Sequence, residues 1–134
     1  MIEIAEETIS LLVEKLLDIE AAISLEAGAL VLFALIERED AQGKWDLVVS
    51  AAWARERQKD LLNRIALEVR NNFTSEEILT LSRILILDTD DPFVRAINNI
   101  VNVEHGRERV SNFFINGVSI KDSYIMTSHR SEGL

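Results

Sequence analysis

Ser82-Arg83-Ile84-Leu85-Ile86-Leu87-Asp88-Thr89-Asp90-Asp91-Pro92 is the stretch on which the fold turns. Residues 83–87 read as a strand, and the apolar run Ile84–Leu87 offers side chains to both faces, the pattern of a central strand. The strand empties into three carboxylates and a proline. Asp91 suits an N-cap and Pro92 the first helical position after it, because that N–H has no intrahelical partner to lose. Phe93, Ala96, Ile97, Ile100, Val101 and Val103 then form the buried side of a helix that Glu104-His105-Gly106 closes, with glycine placed for a left-handed cap.

Just upstream, Thr74-Ser75-Glu76-Glu77 has the spacing of a capping box and starts a short helix ending near Ser82. Before it, Leu61, Leu62, Ile65, Val69 and Phe73 repeat at helical spacing across 55–73. Arg55, Arg57, Lys59, Arg64 and Arg70 make this the only basic element. Further back, 29–38 is apolar on both faces, 39–44 is a polar turn, and 45–53 is rich in valine and tryptophan. These predict a hairpin with Trp45 and Trp53 on one face.

The chain opens with Ala5, Ile9, Leu12, Leu16, Ile19 and Ile23 spaced alternately by four and three, a seam along an amphipathic helix over 4–25. Val13 and Leu17 widen it. Glu6, Glu7, Glu14, Asp18 and Glu20 fill the remaining surface. At the other end, Asn116-Gly117 is a hairpin turn dipeptide between 109–115 and 118–127, and 128–134 is a polar tail. The expectation is therefore a single α+β domain over 1–127, with a mixed five-stranded sheet and about three main helices in the order α-β-β-α-α-β-α-β-β.

Composition bounds the function. The 134 residues are 48% hydrophobic and 28% charged, as in an ordinary globular domain. No cysteine is present, which removes disulfides, thiolate metal sites and cysteine nucleophiles and fits a reducing compartment. Neither a leader pattern nor a membrane-length apolar run is seen, so a cytoplasmic protein without membrane contact is expected. The net charge is −9. Residues 1–40 carry ten acids against two bases, a face that repels phosphate backbones and suits a basic protein partner rather than nucleic acid.

The run ending in Asp88-Thr89-Asp90 resembles the nucleophile motif of haloacid-dehalogenase-type phosphotransferases. The resemblance implies a nucleophilic Asp88, an acid/base Asp90 and a carboxylate-held magnesium ion. Here about 46 residues follow the motif that opens such domains, and the family's lysine and distal acid pair have no counterparts. Asp88, Asp90 and Asp91 therefore stand as a candidate cation site whose simpler reading is a turn and a cap. No Gly-x-Ser-x-Gly elbow, phosphate loop or histidine at ligand spacing is present; His105 fits the macrodipole of a helix C-terminus. The sequence thus points to a non-enzymatic interaction or regulatory module without a cofactor. It is expected to be homodimeric through its first helix, with Glu6, Glu7, Glu14 and Asp18 as the surface for a partner. The alternatives are a metal-dependent phosphoryl-transfer or hydrolase enzyme at the aspartates, or a small-ligand sensor walled by Trp45, Trp53 and Tyr124.

Overall fold

The computed structural model describes residues 2–130, with side chains from Glu6 onward; the side chain of Ala5 in the first seam and residues 131–134 of the tail lie outside what it describes. The chain is α+β. Helix α1 (Ile2–Ala27) leads into β1 (Leu32–Arg38) and β2 (Trp45–Ser50). Helices α2 (Gln58–Asn72) and α3 (Ser75–Thr80) cross to β3 (Leu81–Ile86), and α4 (Pro92–Ile100) follows. Strands β4 (Glu108–Arg109), β5 (Phe113–Ile115) and β6 (Val118–Ser128) complete it. Among the described residues there are six strands rather than five, because Glu108–Arg109 pairs with β6 separately from the final hairpin.

The sheet runs β3-β2-β1-β6-β4, with β5 also on β6. Of the described strand pairs only β2 and β3 are parallel, as a helical crossover between them requires. β1 and β2 are almost wholly buried. On one face α1 sets Ile9, Leu12, Leu16, Ile19 and Ile23 against Phe33, Leu35, Leu47 and Val49, beside Leu61, Ile65 and Val69 of α2. On the other face Val94, Ile97 and Val101 meet Leu32, Ala34, Val48 and Ile125. Side chains alternate across a strand, so β1 feeds both layers.

Local signals are realised as read. The Thr74 hydroxyl accepts from the Glu77 N–H at 3.2 Å while the Glu77 carboxylate accepts from the Thr74 N–H at 2.8 Å. Asp91 accepts from the Phe93 N–H at 2.8 Å with Pro92 behind it. Asn116 and Gly117, at φ 47° and 80°, form the two-residue turn that pairs Ile115 with Val118.

Several non-local expectations are corrected. β3 is an edge strand and not a central one; its two apolar faces arise because helices cover both sides of the sheet out to its margin. Ile84 and Ile86 join the α1–α2 layer, and Leu85 and Leu87 the α4 layer. α4 stops at Ile100 and buries Val94, Ile97 and Asn98, leaving Ile100 59% exposed. The left-handed residue beyond it is His105 (φ 52°), not Gly106. Gly106 is there for space, since a Cβ would meet Val103 Cγ2 at 2.9 Å. β2 ends at Ser50, and Trp53 sits in a 3-10 turn, so the tryptophans do not share a strand. The wide apolar face of α1 is taken up by its own sheet; of its leucines, Leu11 and Leu25 stay exposed. Ser128, grouped with the tail, is a buried β6 residue.

Candidate functional site

The residues singled out by sequence do not converge. Asp91 is committed to its cap, Asp88 accepts from Gln58 Nε2 at 2.8 Å, and Asp90 is exposed. Among the described residues no group of three metal-ligating side chains is assembled. Glu6, Glu7, Glu14 and Asp18 are exposed on α1, with Glu6 3.8 Å from Arg109. Trp45 and Tyr124 are buried together at 5.9 Å between ring centroids, whereas Trp53 stands apart and donates to the Ala29 carbonyl at 3.0 Å.

A different set does converge, on Glu20. Its position four residues after Leu16 and one after Ile19 turns it toward the sheet, and it is 4% exposed. Four-residue spacing from Leu12 and Leu16 is the sequence signal that places it on the buried stripe; its charge alone assigns it to the solvent face. Burying a carboxylate is costly unless donors surround it. Three do. Ser24, one turn later on α1, donates to Oε2 at 3.0 Å; Thr127 on β6 donates to Oε2 at 2.9 Å; and His105 Nδ1 lies 2.6 Å from Oε1.

Thr127 owes its position to a bulge. The register between β1 and β6 shifts between Phe33 and Ala34, which pair with Thr127 and Ile125. The extra residue lets Met126 pack in the α1 layer while Thr127 next to it also reaches α1. His105 is then fixed twice. Its backbone N–H donates to Thr127 Oγ1 at 3.2 Å, and the next N–H, of Gly106, donates to the Met126 carbonyl at 2.8 Å. Left-handed backbone at His105 turns the ring toward Glu20 rather than along the axis of α4. Glu20, Thr127 and His105 thus close a ring of hydrogen bonds from three elements distant in sequence.

This ring forms one wall of a cleft of about 400 Å³ lined also by Ala21, Leu25, Ala29, Leu30, Glu104 and His129. A second cavity of about 650 Å³, lined by Asn98, Asn99, Asn102 and Arg130, shares Ala29, Glu104 and His129 with it. A carboxylate only accepts, so the Nδ1 of His105 carries a proton, and whenever the ring is neutral its Nε2 is the bare acceptor. The side chain is 52% exposed, so Nε2 is within reach of a ligand. The hydroxyls of Ser24 and Thr127 give their hydrogens to Glu20 and not to His105, so among the described residues neither is activated by the histidine.

Set against family models, curated proteins and solved structures, the chain matches none of them.

Proposed function

We propose that the chain is a non-enzymatic, ligand-responsive regulatory module whose binding site is the Glu20–His105 cleft. One observation carries the reading: a buried carboxylate, two hydroxyls and a doubly anchored histidine converge at the mouth of a concave, partly apolar cleft. A few convergent polar groups in an apolar depression are what small-molecule sites are made of. Among the described residues no nucleophile is placed on His105, which favours binding over hydrolysis. Trp53 supplies the readout, because its indole N–H holds the carbonyl of Ala29, a residue of the cleft wall. Tryptophan emission and thermal melting against a metabolite collection test the reading. A ligand at a hundredfold excess over Kd stabilises by about 2.7 kcal/mol. Binding that disappears in His105→Ala supports the reading; binding that survives it places the site elsewhere.

A second reading, compatible with the first, concerns self-association. β3 has the composition of a central strand but stands at the sheet edge, and Leu79 on the preceding helix is 77% exposed. Exposed edges invite pairing with another strand. We propose that two copies join through β3 rather than through α1. Sedimentation equilibrium should give a dimer that Leu79→Lys with Ser82→Pro, both at exposed positions, converts to a monomer. A wild-type monomer at high concentration would contradict it.

A further inference from the structure

We infer that the cleft takes a small organic amine, bound as its ammonium ion. The inference rests on the ligand-binding reading above and adds the chemical class of the ligand.

Among the described residues Glu20 has no lysine or arginine beside it, unlike Asp46 and Glu77; Glu37, the other buried carboxylate, accepts from the Gly43 N–H at 2.7 Å and lies near the end of β1, outside this cleft. Asp46, similarly buried, is held by Arg83 through contacts of 2.8 and 3.2 Å, with Arg38 at 3.5 Å. Glu77 has Lys15 at 2.7 Å. Glu20 meets two hydroxyls and one histidine, and no lysine or arginine lines its cleft. Glu104 adds a second carboxylate to the lining. The wall from Glu20 to Leu25 is the last part of α1, and the final turn of that helix carries no basic residue. Helix C-termini bear partial negative charge on their unpaired carbonyls. Arg130 lines the adjoining cavity.

Carboxylates, carbonyl ends and the bare Nε2 of His105 are all acceptors, and an ammonium group offers only donors. An anion at the same place would meet like charge in a site partly withdrawn from water, where such repulsion is poorly screened. Leu30 at the base and Ala21, Leu25 and Ala29 at the rim give an apolar lining that fits the carbon body of an amine. A volume of about 400 Å³ sets the scale as a small molecule and not a peptide.

The test uses three probes that share a phenethyl group and differ in charge: phenethylamine, 2-phenylethanol and 3-phenylpropionate. Each is titrated to millimolar concentration at mildly alkaline pH, reading the ring signals of the two histidines by NMR. Phenethylamine should shift His105 saturably, and the other two should not. Glu20→Gln should weaken it about tenfold, as expected when a charge-assisted contact becomes neutral. Leu25→Lys, at a residue 89% exposed, should weaken it with no burden on folding. If Glu20→Gln fails to fold, Leu25→Lys and Glu104→Gln carry the test. A His105 shift by the alcohol or the carboxylate at equal or lower concentration overturns the amine assignment and leaves the cleft as a binding site. If no probe shifts His105, the amine assignment and the ligand-binding reading both fall.

Discussion

Single side chains decide how this molecule handles buried charge, and two carboxylates show how. Burial pushes the Glu77 carboxyl up, but the Lys15 ammonium and the Thr74 N–H and hydroxyl outweigh it and hold it below its ordinary value. Burial acts likewise on Asp122, where Arg109, Ser111 and the Ser123 N–H prevail. A carboxyl lowered in the folded state binds its proton more readily when unfolded. Its stabilising contribution is therefore complete above the ordinary carboxylate range and is lost as pH falls through that range to the lowered native value. Urea midpoints should drop on acidification, and Glu77→Gln, which keeps the capping geometry, should flatten part of that slope. An unchanged slope would show that Glu77 is not ionised against Lys15. At Glu20 the issue is satisfaction of a buried acceptor. Thr127→Val removes a donor to the carboxylate and the acceptor of the His105 N–H, and should cost about 1–3 kcal/mol in urea unfolding. A loss within error of zero would mean that the hydrogen-bonded ring is not formed.

At the scale of elements, the sequence was legible wherever the signal is local. The capping box, the Asp91-Pro92 start of α4 and the Asn116-Gly117 turn each satisfy backbone needs within a few residues, so composition and spacing suffice. Asp91→Ala should cost α4 about 1 kcal/mol. Asp88→Asn and Asp90→Asn should leave stability nearly unchanged, and millimolar Mg²⁺ should not move the melting temperature of the wild-type chain; a rise of several degrees would restore the aspartates as a cation site. Gly28 illustrates a junction that the sequence marks only as a helix stop. At φ +132° it tolerates no ordinary side chain, and a Cβ would come within 2.9 Å of the Trp53 indole. Gly28→Ala should cost about 1–3 kcal/mol and alter Trp53 emission. The edge placement of β3 and the rotated face of α4 were not legible, because each depends on which distant element covers it.

For the molecule as a whole, both apolar layers and the α+β class follow from periodicity, while the site does not. Glu20 and His105 are 85 positions apart, and they meet only because α1 crosses β6 beside a bulge that no composition signal announces. Charge tells a similar story. The acidic first helix and the basic second helix are joined by the Arg64–Glu26 pair at 2.7 Å, so part of the imbalance is met internally. Arg64 is also pulled by Glu68, and such exposed pairs contribute little to stability. Among the described residues no helix is long and apolar enough to cross a membrane.

Glu20 fixes His105 with Nδ1 protonated, so that the neutral ring turns a bare Nε2 to the cleft. Long-range ¹H–¹⁵N correlation of the imidazoles tests it directly, since the chain has two histidines to distinguish. The account predicts that neutral His105 is the Nδ1–H tautomer, with a strongly deshielded Nδ1 proton that Glu20→Gln shifts upfield. An Nε2–H tautomer at His105, unaffected by Glu20→Gln, would contradict it.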